Sequence, residues 1–410
     1  MTSLRVLASL LVFLTAASGT ALAQADRRYV QSWATGHISP LPGKMVTFNN
    51  QTLREVVRLS AGGEYVRVRI ANTFGTTSLV IGEARVALSA SGANIVPGTD
   101  HVLTFSGQRS IKVPAGAPVF SDPVRLNAKP LTEVAVSLYL PNATSAETST
   151  FLLGNSFLSV TAGNHAAAVE LPSPSPMVAW PFLSGISVSA AKNAASIVAL
   201  ADSATRTSEW PRFLAERLQA QPSTNHLSVV SVAVSGNRLL HNSASPAGPA
   251  VPNPQWGQSL LTRFDRDVLA QAAVGHVIVF IGLNDIAGPG AFYPSSEAIT
   301  VEDLIAGYRQ LIARARENGL TIQACTLPPL AGNTSLAGYD APANEARRVA
   351  FNQWIRTSGE FDGVIDVDMI LRDPSQPTRL LAAYDNGDHL HPNTAGGRAI
   401  ANAIDLKVFR

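Results

Sequence analysis

Three short stretches of the chain carry side chains that could act together on an ester carbonyl. Two of them close apolar runs and the third lies near the C-terminus. They are Ala201-Asp202-Ser203, Gly282-Leu283-Asn284-Asp285 and Asp388-His389-Leu390-His391-Pro392. A serine hydroxyl is a nucleophile, an asparagine amide donates to a developing oxyanion, and an imidazole beside a carboxylate is a base. The sequence therefore holds the groups that acyl transfer requires.

The candidate nucleophile and oxyanion donors each also have an ordinary structural interpretation. A turn directly after a buried strand would expose the Ser203 hydroxyl, but an Asp-Ser pair commonly caps a helix, here the one leading to Trp210. Gly236 would let its backbone N–H approach a bound carbonyl oxygen, although a turn glycine after a strand is more common. Asn284 offers an amide donor or, alternatively, forms an Asx-turn. We predict Ser203, Gly236 and Asn284 as an oxyanion hole, with Ser203 as the nucleophile.

The C-terminal stretch places a carboxylate close to an imidazole. Asp388 and His391 stand three residues apart, so the carboxylate can accept from Nδ1–H and leave Nε2 for the serine. Pro392 prevents a helix from running through His391. We predict Asp388 and His391 as catalytic residues.

A metal site is the rival interpretation of this stretch. Asp385, Asp388, His389 and His391 supply oxygen and nitrogen ligands within seven residues. No distant cluster of partner ligands appears in the sequence, so we expect no metal and no other cofactor. We expect His389 to lie at the surface or beside the catalytic residues.

The elements that must position these groups follow from hydrophobic patterning. After residue 191, apolar runs alternate with amphipathic segments, which predicts a doubly wound parallel sheet with helices between its strands. Ligands bind beyond the carboxyl ends of such strands, where Ser203, Gly236 and Asn284 all fall. The strands are expected at 196–200, 227–234, 276–281, 321–327 and 363–367, and the helices at 210–219, 259–273, 301–318, 343–357 and 394–404.

The preceding part has period-two alternation, as in Tyr65-Val66-Arg67-Val68-Arg69-Ile70. Such strands between Gly, Asn and Pro clusters predict an antiparallel all-β sandwich, jelly-roll-like in type. Leu171-Pro172-Ser173-Pro174-Ser175-Pro176 is expected to continue neither strand nor helix and so to link two domains. We expect a β-sandwich domain over 24–190, ending in this linker, and an α/β domain over 191–410.

Composition bounds the classes of partner. The 410 residues are 46% hydrophobic and 15% charged, with a formal net charge of +2, which is typical of a globular chain. Without a basic stripe the chain has no electrostatic footprint for nucleic acid.

The single cysteine, Cys325, lies in a β-branched run and is expected to be a buried core residue. The sequons at Asn50, Asn142 and Asn333 carry little meaning if the source is bacterial.

The first residues resemble an export signal. Arg5, an apolar stretch over 6–17 and Ala21-Leu22-Ala23 follow the charged, apolar and small-residue order of a secretory signal. We expect residues 1–23 to be a signal peptide cleaved after Ala23, giving a secreted or periplasmic protein without stable membrane insertion.

Four blocks of this sequence, in order, resemble those of the SGNH (GDSL-type) hydrolases, most of all the exported branch related to acetyl-xylan esterases. Gln31-Ser32-Trp33-Ala34 and the run 66–75 are similar to that branch's N-terminal β-domain, so the resemblance spans nearly the whole mature chain. The four blocks are Ala201-Asp202-Ser203, Val234-Ser235-Gly236-Asn237-Arg238-Leu239, Gly282-Leu283-Asn284-Asp285 and the run 384–393.

The resemblance implies a three-layer α/β/α hydrolase domain with Ser203 as nucleophile, His391 as base and Asp388 orienting it. The backbone N–H groups of Ser203 and Gly236 and the Asn284 side chain would hold the oxyanion. The first block departs from the family pattern, because alanines 201 and 204 flank the Asp-Ser pair and the loop to Trp210 is short. A left-handed conformation at Ala201 would cost about 1 kcal/mol and could displace the nucleophile.

We therefore expect an exported serine esterase that removes short acyl groups, acetyl above all, from a small-molecule or glycan ester. The first alternative is a glycan-binding protein built on a hydrolase that has lost its activity, with the β-domain binding. A lipase acting at interfaces is a further alternative, but no apolar lid-like stretch or amphipathic surface helix favours it.

Overall fold

The computed structural model describes residues 27–41, 43–151, 156–245, 247–333 and 336–409. The predicted signal peptide, residues 1–23, lies outside the described residues. Within them, no helix has both the length and the apolar character needed to cross a membrane.

The N-terminal part is built of short strands. In chain order they are β1 Tyr29–Ala34, β2 Thr47–Phe48, β3 Gln51–Arg58, β4 Gly63–Ala71, β5 Leu79–Ile81, β6 Glu83–Ser91, β7 Asn94–Ile95, β8 His101–Leu103, β9 Ile111–Val113, β10 Pro118–Phe120, β11 Val124–Ala128, β12 Glu133–Leu140, β13 Thr144–Ser145, β14 Ser149–Phe151, β15 Phe157–Ala162, β16 Ser175–Met177, β17 Ala179–Pro181 and β18 Leu183–Ser189.

Most of these strands form two antiparallel sheets. The first has the order β1-β18-β4-β10 with β11 also on β4, and the second has the order β16-β15-β3-β12-β6-β7 with β8 also on β6. Alternate residues of β4, such as Val66 and Val68, share one core with Leu53 and Val57 of β3 and with Val136 of β12. Period-two patterning thus buries one face of each sheet against the other. The N-terminal part is rich in antiparallel strands, as predicted, and is consistent with a β-sandwich.

The Pro/Ser stretch does not behave as predicted. Ser175–Met177 forms β16, which pairs antiparallel with β15, and two further strands of the β-sheets follow before the parallel sheet begins. A strand is possible there because β16 lies at the sheet edge, and edge strands tolerate proline. β18 ends at Ser189 and β19 begins at Ala195. The division into two domains between residues 190 and 191 stays a prediction.

The C-terminal part alternates strands and helices. Its strands are β19 Ala195–Ala201, β20 Leu227–Ser231, β21 Ala244–Ser245, β22 Gly248–Pro252, β23 Val274–Phe280, β24 Thr321–Cys325, β25 Gly363–Ile365, β26 Arg372–Asp373 and β27 Gln376–Leu380. Its α-helices are α1 Ser203–Ser208, α2 Trp210–Gln219, α3 Leu260–Phe264, α4 Leu283–Ala287, α5 Val301–Glu317, α6 Pro342–Thr357, α7 Val367–Leu371 and α8 Thr394–Ala403. Short 3-10 helices lie at Pro254–Trp256, Ser295–Glu297, Ala382–Tyr384 and Leu406–Phe409, and a π-helix at Asp265–Leu269.

Five of these strands form a parallel sheet of order β20-β19-β23-β24-β25 in the described chain. Val198 and Leu200 share a core with residues of α5 and α6, whereas Ile197 and Ala199 share the opposite core with residues of α2 and α8. Helices therefore cover both faces of the sheet. This confirms the predicted parallel sheet and its α/β content.

Two details differ from the sequence predictions or extend them. The helix expected over 259–273 is α3 followed by the π-helix Asp265–Leu269, so the helical segment ends earlier. Cys325 ends β24 and is fully buried, as predicted, and burial raises the pKa of its thiol.

The β-sheets and the α/β part contact each other through hydrogen bonds. Gln31 N donates to the Ala272 carbonyl at 3.2 Å, and Arg69 Nη2 donates to Gln271 Oε1 at 3.1 Å. The two parts are therefore packed together close to β1 and β23.

Candidate active site

Ser203 is the first residue of α1 and is separated from the end of β19 by Asp202 alone. The helix is capped by Asp202, whose Oδ1 accepts from Ala204 N at 3.0 Å. The alternative interpretation, in which Ser203 is the N-cap residue, is therefore wrong. The Ser203 hydroxyl is thus left for other contacts. Ala201 ends the extended strand and is not among the described residues with positive φ, so it carries no left-handed strain.

The Ser203 hydroxyl contacts the imidazole of His391. Nε2 of His391 lies 2.8 Å from Ser203 Oγ, and Nδ1 lies 2.6 Å from Asp388 Oδ2. The structure therefore brings together the three residues that we predict as catalytic. In this order of contacts an imidazole can take the hydroxyl proton while the carboxylate holds the ring.

Backbone hydrogen bonds shape the loop that carries this imidazole. Asp388 Oδ1 accepts from the backbone N–H groups of Leu390 at 2.9 Å and His391 at 2.8 Å. Partial burial of Asp388 on its own would raise the pKa of its carboxyl, but the hydrogen bonds from the His391 ring and from these N–H groups outweigh it. They hold that pKa well below its usual range, so Asp388 is an anion beside the imidazole.

A second His–Asp pair lies in the same loop. His389 Nδ1 is 2.6 Å from Asp385 Oδ2, and the His389 side chain is 51% exposed. Each of the two carboxylates therefore contacts a different imidazole, Asp388 that of His391 and Asp385 that of His389. Among the described residues no group of three or more His, Cys, Asp or Glu side chains is arranged to hold a metal ion.

Gly236 lies in the turn after β20 with φ of +70°. A Cβ at this position would lie 2.8 Å from the ring of Trp256, so both the conformation and the close approach require glycine. Within the described part of the chain, no hydrogen-bond acceptor pairs with the backbone N–H groups of Ser203 and Gly236. Both donors are available to a ligand.

The third predicted oxyanion donor, Asn284, is 6% exposed at the start of α4. Its Nδ2 lies 3.2 Å from Asp202 Oδ2 and 3.1 Å from the Asn237 carbonyl, while its Oδ1 accepts from Tyr339 Oη at 3.0 Å. The carboxamide therefore bridges the segments of Ser203 and Gly236. Since both amide hydrogens have protein acceptors, an oxyanion would have to replace one of these acceptors.

Two buried carboxyl groups border the carboxamide. Burial raises the pKa of Asp202 to about 7, although the hydrogen bond from Ala204 N and the charges of His391 and Arg263 oppose the rise. Burial likewise raises the pKa of Asp285 to about 6, against hydrogen bonds from Leu239 and Leu240 N–H. The site therefore contains carboxyl groups that titrate near neutral pH.

Sequence reasoning missed Arg263, whose fully buried guanidinium contacts the chain segments that carry the site. It donates to the Val232 carbonyl at 2.7 Å, to Asn237 Oδ1 at 3.0 Å and to the Ala201 carbonyl at 3.3 Å. It thus joins the ends of β19 and the β20 segment. Nothing in the sequence around Arg263 indicates this role, since it lies in a helical segment about sixty residues from Ser203.

Tyr293 and Tyr339 were missed as well. Tyr293 Oη donates to the Gly236 carbonyl at 2.6 Å, and Tyr339 Oη donates to Asn284. Their positions depend on loops whose conformation has no periodic signal in the sequence.

Residues 195–399 match the GDSL-like Lipase/Acylhydrolase family. No curated protein matches the chain. Among solved structures, the acetylxylan esterase Axe2 from Geobacillus stearothermophilus is 18% identical, covering 52% of this chain and 94% of its own, with a TM-score of 0.37.

Two further solved structures are similar at the same level. A GDSL-like lipase from Bacteroides thetaiotaomicron VPI-5482 is 16% identical, covering 52% of this chain and 87% of its own, with a TM-score of 0.36. The acetyl xylan esterase AlAXEase is 15% identical, covering 51% and 96%, with a TM-score of 0.35. At such identities and TM-scores, these likenesses carry no conclusion about a substrate.

Proposed function

Since this chain belongs to the GDSL-like lipase/acylhydrolase family and is a carboxylic ester hydrolase, we propose that it removes short acyl groups through an acyl-enzyme on Ser203. The observation that carries the proposal is the continuous contact from Ser203 Oγ to His391 Nε2 and from His391 Nδ1 to Asp388. Among the described residues, Ser203 is the serine whose hydroxyl contacts a histidine ring.

In the first half-reaction, Ser203 Oγ bonds to the ester carbonyl carbon while its proton moves to His391 Nε2. The carbonyl oxygen becomes an oxyanion, which accepts from the N–H groups of Ser203 and Gly236 and from the Asn284 amide. When the bond from that carbon to the alcohol oxygen breaks, the imidazolium returns its proton to the departing alkoxide. An acyl group then remains on Ser203.

In the second half-reaction, a water molecule gives its proton to His391 Nε2 and its oxygen bonds to the acyl carbon. The bond to Ser203 Oγ breaks, and the imidazolium protonates that oxygen. The acid leaves and the site is restored. Asp388 keeps the ring oriented and stabilises its charged form in both steps.

We propose acetyl as the main acyl group and a carbohydrate or another small alcohol as the rest of the substrate. The four blocks shared with the branch related to acetyl-xylan esterases support this choice. We also propose export after cleavage at Ala23, a β-domain of jelly-roll type, and a mechanism without a cofactor. N-terminal sequencing of the exported protein tests the cleavage, and a chain that still begins at Met1 would refute it.

The central test is p-nitrophenyl acetate hydrolysis by the wild type and by Ser203→Ala. We expect kcat to fall by orders of magnitude in the variant. Unchanged turnover would end the proposal.

A fluorophosphonate probe separates the esterase from a glycan-binding protein with a dead site. Stoichiometric labelling of the wild type, absent in Ser203→Ala, supports the esterase. Folded wild-type protein that takes no label contradicts it. An acetate-release screen across acetylated xylan, pectin, chitooligosaccharides and aryl esters would then identify the alcohol.

A further inference from the structure

Two half-buried aromatic rings border the proposed oxyanion donors. The ring of Trp256 lies directly on Gly236, where an added Cβ would meet its atoms at 2.8–3.0 Å. Phe292 meets Trp256 edge-on, with ring centroids 6.3 Å apart. Both rings keep part of their surface exposed. We call this pair the aromatic wall.

Two buried tyrosines fix the aromatic wall to the donors. Phe292 stacks on Tyr339 with centroids 6.0 Å apart and packs against Tyr293 with centroids 4.5 Å apart. Those same tyrosines donate to Asn284 Oδ1 and to the Gly236 carbonyl. The Asn237 side chain also holds the Trp256 carbonyl at 2.9 Å. The aromatic wall and the oxyanion residues are therefore held by the same two tyrosines and by Asn237.

An ester that reacts with Ser203 must point each of its parts toward a particular group of the site. The alcohol oxygen must face His391 Nε2 to receive its proton, and the carbonyl oxygen must face the donors. The acyl substituent takes the direction that remains. His391 belongs to the loop that leads into α8, which packs on one face of the sheet, whereas Phe292 and Tyr339 pack in the core on the other face.

We propose that the aromatic wall closes the acyl end of the site, so that Trp256 and Phe292 set the upper limit on acyl chain length. This rests on the proposed function of Ser203 and its donors. Phe292 is held by packing against Trp256, Tyr293 and Tyr339, so each methylene that an acyl chain adds beyond the acetyl group must displace a ring that has little freedom to move. Phe292 is the better position to test, because Trp256 also supports Gly236.

The experiment compares kcat/KM for p-nitrophenyl acetate and p-nitrophenyl hexanoate in the wild type and in Phe292→Ala. We expect the hexanoate-to-acetate ratio to rise at least about tenfold in the variant, since pocket walls discriminate methylenes by factors of this order. Phe361→Ala is the matched control, because Phe361 is a partly buried ring of a separate aromatic cluster with Tyr308 and Trp354. A loss of general stability would lower both rates together and leave the ratio unchanged.

Two more variants keep the test decisive if Phe292→Ala does not fold. Phe292→Leu is expected to raise the same ratio less strongly, and Phe292→Trp to lower butyrate hydrolysis more than acetate hydrolysis. An unchanged hexanoate-to-acetate ratio in the folded variants overturns the proposal that the aromatic wall limits acyl chain length. Ser203→Ala is measured on both esters to test the proposed function separately. If the proposed function is wrong, this variant keeps its turnover; if only the role of the aromatic wall is wrong, the variant is inactive and the ratio in the Phe292 variants is unchanged.

Discussion

One oxygen of the Asp202 carboxyl lies 3.2 Å from the amide nitrogen of Asn284, and the other oxygen caps α1 by accepting from Ala204 N. A single side chain thus connects the helix that begins with the nucleophile to the carboxamide that we propose as an oxyanion donor. Asp202 forms no hydrogen bond with Ser203 Oγ or His391, so it acts on them through these two contacts and through the charge of its carboxylate near the imidazole.

Asp202→Asn is expected to reduce kcat about tenfold with little change in KM. An amide has one acceptor oxygen where the carboxyl has two, so one of the two contacts is lost and the donor or the nucleophile is less well held. Steady-state kinetics with p-nitrophenyl acetate measure both constants. A raised KM with an intact kcat would show instead that Asp202 acts on substrate binding.

Asn284→Ala is expected to lower kcat by about a hundredfold to a thousandfold, as the loss of one oxyanion donor does in other hydrolases. Asn318→Ala, at an exposed asparagine, serves as the control. Thermal unfolding of both variants checks that the loss is catalytic. Should Asn284→Ala retain most of its kcat, the carboxamide is no oxyanion donor.

The loop 385–392 offers a matched pair of carboxylates. Asp388→Asn is expected to lower kcat on the order of a thousandfold or more, because the amide no longer favours the required ring tautomer or the imidazolium. Asp385→Asn makes the same chemical change at the His389 pair and is expected to cost less than about tenfold. Equal losses in the two variants would show that both carboxylates act only by shaping the loop.

Arg263→Met is expected to destabilise the fold by about 3 kcal/mol. It removes a buried guanidinium that donates to the Ala201 and Val232 carbonyls and pairs with Asp267 at 2.9 Å. Urea unfolding measures the change. Arg309→Met, which removes the exposed pair with Glu360, is the control and is expected to change stability little. An Arg263→Met protein that is as stable as the wild type would show that Arg263 does not hold the strand ends together.

Glu55 predicts a pH dependence of stability. It lies on β3 with no exposed surface, and neither carboxyl oxygen has a hydrogen-bond partner in the described structure. Burial raises the pKa of this carboxyl well above its usual value. As pH rises above the ordinary glutamate pKa, the unfolded chain releases the proton and the folded chain keeps it, so stability falls.

Glu55→Gln removes this titration, so the variant is expected to gain stability relative to the wild type between pH 4 and pH 8. Chemical unfolding at both pH values gives the two differences, with Glu64→Gln at the surface as control. A difference that does not change with pH would mean that Glu55 is solvated or paired in the folded protein.

Local spacing accounts for what the sequence could predict. Period-two and helical patterns depend on neighbours along the chain. They indicated strands in both parts and placed the helices at 210–219, 301–318, 343–357 and 394–404 nearly residue for residue. The three-residue spacing of Asp388 and His391 is likewise a local property. The Pro/Ser stretch shows the limit, because whether Pro176 sits in a strand depends on which edge of a sheet is free.

By itself, the sequence determined the alternation of strands and helices in the C-terminal part, the strand ends after which Ser203, Gly236 and Asn284 lie, and the pairing of Asp388 with His391, since each arises from residues close together in the chain. Only the tertiary structure decided that Ser203 and His391 meet across 188 residues, that Asp202 and Asn237 engage both amide hydrogens of Asn284, and that Arg263 joins the strand ends. The physical reason is that these contacts depend on how parallel strands and their helices pack, and a buried polar group takes whatever partner that packing brings within reach.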